Sequence, residues 1–231
     1  MQLYWGTKHQ PLAMSTHHQE EKNKFQLERI ALFSDAVFAI SITLLVIEIK
    51  VPVIPSGTEN FSEEFNHAIL HMVPEFLGFF ISFIVIGQYW KAHHTIFGYL
   101  KDYDRKLISL NTWFLLSIVC MPFTTGLVSR FMQFQPYMYY VINVIVTGLI
   151  QVLLWRYVVK HKEFQSEPIP QGIIKFKYAS AWVVVIFFLL SLPVSLLFGG
   201  GIGRMFLVTV FIFTILNRRY YDRKYKIGEK V

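Results

Sequence analysis

The chain has 231 residues, of which 54% are hydrophobic and only 16% are charged, with a formal net charge of +7. This balance excludes an ordinary soluble domain, because one core of this size cannot bury so many long apolar runs. The basic residues flank the apolar runs and form no aromatic-interleaved patch, so we expect a lipid bilayer and no nucleic acid as partner.

Six apolar runs predict an all-α polytopic membrane protein with six transmembrane helices. These runs cover residues 29–50, 74–98, 107–128, 137–158, 178–198 and 202–217. We predict an N-terminal tail over 1–28, a six-helix transmembrane domain over 29–217 and a basic C-terminal tail over 218–231. The tail over 1–28 begins with polar sequence that lacks the apolar stretch of a cleaved signal peptide. A short interfacial helix is expected over 62–72.

The first predicted helix has two distinct faces. At about 100° per residue, a narrow stripe faces one direction. Its members are Ile40, Thr43, Leu44 and Ile47. Ser34 and Asp35 point about 120° and about 140° away from Ile40, nearer the start of the helix. The helix therefore combines an aliphatic stripe that carries one hydroxyl with a separate polar patch.

The acid within this helix requires a partner, since a charge in a bilayer costs roughly 2.5–3.5 kcal/mol on insertion scales. Arg29 points in a different direction from Asp35 and is poorly placed to pair with it. His94 and Asn111 lie at a similar depth on the second and third predicted helices. We therefore predict a buried network of Ser34, Asp35, His94 and Asn111 that fixes the first helix. A direct role of Asp35 in ion or proton movement is the alternative.

The basic residues predict how the chain crosses the membrane. With six spans, 19 of the 22 Lys and Arg residues fall on one side, and only Lys50, Arg130 and Arg204 fall on the other. Basic residues are retained on the cytoplasmic side of membrane proteins. We therefore expect a multi-pass protein of the cell membrane with both termini in the cytoplasm.

The first span, RIALFSDAVFAISITLLVIEI, resembles the first helix of the transmembrane protein 175 family of potassium channels. The family's RxxxFSD signature is matched by Arg29, Phe33, Ser34 and Asp35. Further similarity lies in YWKAHHTIF at residues 89–97, in Asn111, and in MPF at residues 121–123. The resemblance covers about the first 125 residues well, and the remainder only by the number of spans and the topology.

This resemblance implies six helices per repeat without a re-entrant pore loop, and a pore lined by the first helix. The single repeat of this chain implies a homotetramer. By position, Ile40 corresponds to the constriction, Thr43 to a hydroxyl layer that affects selectivity, and Leu44 and Ile47 to the rest of a hydrophobic gate. Potassium is then the permeant ion, preferred modestly over sodium, and no cofactor is expected.

Acidic residues are also expected near the outer mouth of the pore. Glu48 and the acidic residues Glu59, Glu63 and Glu64 could raise the local cation concentration.

A proton-coupled secondary transporter that uses Asp35 and His94 is the alternative function, although no inverted repeat is visible. An enzyme is not expected: no catalytic residues stand out, and no His pair has the further ligands that a metal site requires.

Overall fold

The protein was analysed as a computed structural model that describes residues 12–198 and 200–225. Over these ranges the chain forms eight α-helices, one short 3₁₀ turn at Lys162–Phe164 and a single isolated bridge between Leu100 and Gln165. The helices are α1 (Leu12–Ile47), α2 (Phe61–His71), α3 (Val73–Gly98), α4 (Arg105–Val119), α5 (Met121–Arg130), α6 (Phe134–Lys160), α7 (Gln171–Phe198) and α8 (Gly200–Tyr225).

The all-α membrane fold is confirmed. Five segments are long and apolar enough to cross a bilayer, namely Glu21–Ile47, Phe61–Gly98, Arg105–Arg130, Phe134–Lys160 and Gln171–Phe198. The sixth predicted span, 202–217, lies on α8, whose 26 residues extend over about 39 Å. The protein is therefore a multi-pass membrane protein.

Helix boundaries differ from the predicted spans for local reasons. α1 begins at Leu12, so most of the predicted tail over 1–28 is helical, and residues 1–11 lie outside the described residues. Proline explains two other breaks: Pro74 follows the junction of α2 and α3, and Pro122 follows the junction of α4 and α5. A proline is tolerated in the first turn of a helix because it lacks only an amide that would be unpaired there. At the other terminus, residues 226–231 of the predicted tail are outside the described residues.

The helices form one bundle with α6 near its middle. α1 packs on α3, α4 and α5, whereas α7 and α8 pack mainly on each other, with α7 also against α6. Phe38, Phe114, Ile118, Met121 and Tyr137 are among the most deeply buried core side chains. This arrangement leaves α1 at the periphery of a single chain, with one face uncovered.

One end of the bundle carries most of the basic residues, and we call it the basic end. There α3 and α6 end, and α4 and α7 begin. Asp104 precedes α4 and accepts hydrogen bonds from the Leu107 amide (2.8 Å) and the Tyr157 hydroxyl (2.5 Å). Burial raises the pKa of Asp104, but these hydrogen bonds outweigh it, so that the pKa of the carboxyl lies below its usual range. Asp104 thus caps α4 and joins it to the end of α6.

Candidate ion pathway and the polar network behind it

One face of α1 is fixed in the bundle. Ser34, Phe38, Ser41 and Leu45 follow one another at spacings of four, three and four residues, and each is buried almost completely. This spacing places them on a single side of a helix. Phe38 contacts the rings of His93 and Phe114, with centroids 5.6 and 5.9 Å apart. The rotation of α1 about its axis is therefore set by packing against α3 and α4.

The opposite face of α1 carries the stripe predicted from the helical angles. Ile40 and Ile47 are each 58% exposed and Leu44 is 38% exposed, and Thr43 is exposed between them. Phe33 extends the same face by about two turns and is 64% exposed. Such a continuous apolar strip on one chain marks a surface that meets lipid, another chain or a narrow pore.

The hydroxyl of Thr43 has a defined orientation within this stripe. Its Oγ1 donates to the carbonyl oxygen of Ile40 at 2.9 Å. Because the only proton of the hydroxyl is used in that bond, the two lone pairs of the oxygen remain available. The stripe therefore presents an acceptor oxygen, which suits a cation, one turn beyond Ile40.

Behind the stripe, three buried side chains join α1, α3 and α4. The Asn111 amide donates from Nδ2 to Ser34 Oγ at 2.9 Å, and its Oδ1 lies 2.8 Å from His93 Nε2. Ser34 in turn donates to the Ile30 carbonyl at 2.8 Å. Since the Asn111 oxygen can only accept, His93 Nε2 carries the proton in this arrangement. A continuous chain of hydrogen bonds thus crosses three helices.

The predicted network was right for Ser34 and Asn111 but wrong for His94. His93 is 1% exposed and occupies the place assigned to His94, which is exposed. Adjacent residues of a helix point about 100° apart, so only one of the two histidines can face α4. The depth of the network was therefore predicted correctly, whereas the rotation of α3 was not.

Asp35 makes a separate attachment. Its Oδ1 accepts a hydrogen bond from Trp90 Nε1 at 2.8 Å, and the Trp90 ring lies beside the His94 ring, with centroids 5.7 Å apart. Asp35 is therefore bound to α3 by an indole donor and does not belong to the Ser34–Asn111–His93 chain. The remaining signature residues stay on the surface of α1: Arg29 donates to Gln26 (3.4 Å) and lies over the Phe25 ring, and Phe33 is exposed.

Arg130 holds the far end of α1. The sequence indicated only that it is a basic residue on the outer side. Arg130, the last residue of α5, donates to the Glu48 carbonyl at 2.7 Å, and its guanidinium lies 3.5 Å from the Glu48 carboxylate. The helix end thus receives a donor for an otherwise unpaired carbonyl. The charge of Glu48 is compensated, so of the four outer acids it is the least suited to concentrate cations.

We expect Arg130→Gln to lower the melting temperature of the detergent-solubilised protein more than Glu48→Gln does. The shorter guanidinium contact is to the Glu48 carbonyl, which Glu48→Gln retains, and a hydrogen bond of this kind contributes about 0.5–1.5 kcal/mol. The carboxylate contact is longer, both side chains are about one-third exposed, and ion pairs near the surface contribute little. Equal melting temperatures for the two variants would contradict this assignment.

Comparisons with known proteins relate this chain to potassium channels. A family model described as the endosomal/lysosomal potassium channel TMEM175 matches residues 29–122. A protein of Chryseobacterium sp. (strain P1-3) that is named a potassium channel is 30% identical over 196 residues, which cover 83% of this chain and 94% of that protein. A second potassium channel, from Streptomyces collinus, is 36% identical over 107 residues, and the match spans 48% of its length.

The fold is shared with a solved structure. The crystal structure of a lysosomal potassium-selective channel TMEM175 homologue from Chamaesiphon minutus superposes with a TM-score of 0.68 at 22% identity. The superposition covers 85% of this chain and 98% of that one. The likeness in fold thus extends well beyond residue 122, where the match to the family model ends.

Proposed function

The chain belongs to the TMEM175 family, and from that membership we propose that it is a potassium channel with α1 lining the pore of a homotetramer. The observation that carries this proposal is the exposed strip of Ile40, Leu44 and Ile47, which includes the Thr43 hydroxyl. The rest of α1 is tied to α3, α4 and α5, so the strip has a fixed direction. A single strip cannot enclose a pore, and several copies around an axis can.

Passage through such a pore depends on its narrowest ring. Four Ile40 side chains around the axis form a hydrophobic constriction that gates by its width and by loss of water. Potassium gives up its hydration water more readily than sodium, so partial dehydration favours potassium. Thr43 oxygens replace part of the lost water. Because side chains and no ring of backbone carbonyls line the path, the preference for potassium is modest.

The charge bias of the sequence supports a location in the cell membrane with the basic end in the cytoplasm. The outer mouth then lies at the end of α1 where Arg130 and Glu48 pair. Ions leave or enter there beside α2, whose first turn carries Glu63 and Glu64.

Flux from liposomes that contain the purified protein tests this proposal. We expect potassium, and more slowly sodium, to move down an imposed gradient without any gradient of protons. Flux that appears only with a proton gradient would instead support the transporter based on Asp35 and His94. The molecular mass of the same purified protein in detergent tests whether it is a tetramer.

Thr43→Val is expected to reduce the preference for potassium over sodium. The substitution keeps the shape of the side chain and removes only the oxygen, whose contact with a cation is equivalent to about a two- to tenfold change in equilibrium. The ratio of potassium to sodium flux measures the effect. Thr43→Ser keeps the hydroxyl and is the matched control. A ratio that is the same in Thr43→Val and the wild type would remove Thr43 from the selectivity site.

A further inference from the structure

A crevice lies between α3 and the pair of helices α7 and α8, and α6 contributes to its walls. α7 and α8 pack on each other, with α7 also against α6, and this leaves a gap between them and α3. The gap has a volume of about 470 Å³, which is within the range of roughly 300–1,000 Å³ for sites that bind small molecules. The pore strip of α1 does not contribute to its walls.

The walls change from apolar to basic along the helix axes. In its depth the crevice is lined by aliphatic and aromatic side chains, among them Val85, Val184, Phe188 and Val210. At the basic end it is lined by Lys91, His94, Lys177, Arg218 and Asp222. Lys177 and Phe188 are eleven residues apart on α7, which places them about 16 Å apart along the axis. The polar mouth of the site thus suits the headgroup of a lipid, and its long apolar interior suits an acyl chain.

The mouth carries an excess of positive charge. Lys177 and Arg218 both line this mouth, from α7 and α8 respectively. The carboxylate among the lining residues is that of Asp222, which lies 3.7 Å from Arg218 Nε. One carboxylate cannot compensate Lys91, Lys177 and Arg218 together. An anionic group at the mouth therefore compensates the remaining positive charge.

The dimensions of the crevice distinguish between possible occupants. The crevice has a volume of about 470 Å³ and extends about 16 Å from its basic mouth into its apolar interior. An extended hydrocarbon chain fits, and a free phosphate ion leaves the apolar interior empty. The length of the crevice and the change from basic to apolar walls therefore favour a lipid over a soluble anion.

We propose that this crevice binds one anionic phospholipid, with an acyl chain between α3 and α7–α8 and the phosphate at Lys177 and Arg218. The site is independent of the proposed ion pathway. It is, however, connected to α1 through Trp90, whose ring lines the crevice and whose indole N–H donates to Asp35. A bound lipid thus contacts the residue that attaches α1 to α3.

Fluorescence quenching by brominated lipids tests the proposal. Trp155 lies in the inner wall of the crevice and is otherwise enclosed by the bundle, so a brominated acyl chain approaches it most closely from within the crevice. A variant that keeps Trp155 and has Phe at the other four tryptophan positions is reconstituted in phosphatidylcholine. We expect brominated phosphatidylglycerol to quench Trp155 at a mole fraction about fivefold lower than brominated phosphatidylcholine does. One basic residue changes binding at an anionic membrane surface by about this factor.

Charge variants identify the headgroup site. Lys177→Gln with Arg218→Gln is expected to abolish the fivefold difference between the two lipids. Lys175→Gln with Arg219→Gln removes the same charge from the same two helices at exposed positions outside the crevice, and should leave the difference intact.

Native mass spectrometry of the otherwise unmodified chain provides a second measurement that does not depend on the tryptophan substitutions. Retention of phosphatidylglycerol over phosphatidylcholine, lost in Lys177→Gln with Arg218→Gln, supports the proposal. Equal quenching by the two lipids, equal loss in both charge pairs, or absence of quenching because another copy fills the crevice would overturn it.

Discussion

Ile40→Asn should raise potassium flux through reconstituted protein about tenfold, provided that the Ile40 ring adds about 1.4 kcal/mol to the barrier for the ion. Ile40 is exposed on the stripe of α1 and lies one turn before the Thr43 oxygen. The side chain of asparagine is polar and smaller than that of isoleucine. Water therefore enters a constriction that a ring of four isoleucine side chains keeps dry. The initial rate of potassium release from liposomes measures the change.

Two further variants test whether the change in flux is specific to Ile40. Val46→Asn places the same polar group on an exposed part of α1 that points about 120° away from Ile40, and should leave the flux unchanged. Ile40→Phe narrows the ring and should lower the flux. If Val46→Asn raised the flux as much as Ile40→Asn, the effect would be a general leak. Unchanged flux in both Ile40 variants would remove that residue from the gate.

Asn111→Ala is expected to be the most destabilising single change in the polar network. It removes both hydrogen bonds that join α4 to α1 and α3, and leaves Ser34 and His93 buried with fewer partners. A buried polar group that loses its partner costs about 1–3 kcal/mol. For a chain of this length, each kcal/mol lowers the melting temperature by about 2–4 °C. We therefore expect a decrease of about 2–12 °C in detergent.

The neighbouring histidines provide the matched comparison for this result. His93→Ala should lower the melting temperature substantially, whereas His94→Ala should change it little, because His94 is exposed and lies outside the chain of hydrogen bonds. Combining Asn111→Ala with Ser34→Ala should cost less than the two effects added, since both remove the same contact. Equal effects of the two histidine variants would show that the network does not fix α1.

The sequence was sufficient for features that belong to one helix at a time. Long apolar runs predict spans because a bilayer of fixed thickness demands them, and prolines indicate where helices begin. The stripe from Ile40 to Ile47 follows from a rotation of 100° per residue, which holds in any helix. The depth of Ser34 and Asn111 follows from the rise per residue in the same way.

Contacts between helices were accessible only in part. His93 and His94 are at the same depth to within one residue, so depth could not distinguish them. Asp35 accepts a hydrogen bond from Trp90, and nothing in the sequence distinguishes this indole from the other tryptophans as its partner. Arg130 could have been singled out as one of three basic residues on its side, but nothing in the sequence indicates that it reaches Glu48.

The sequence by itself therefore determined the membrane class, the all-α fold, the two faces of α1 and the residues of the stripe. Only the tertiary structure decided which histidine faces Asn111, which groups hold Asp35 and Glu48, and where a crevice opens between α3 and α7–α8. The physical reason is that periodicity and rise are properties of a single helix. The rotation of a helix about its axis and its distance from its neighbours result from the packing of many side chains at once.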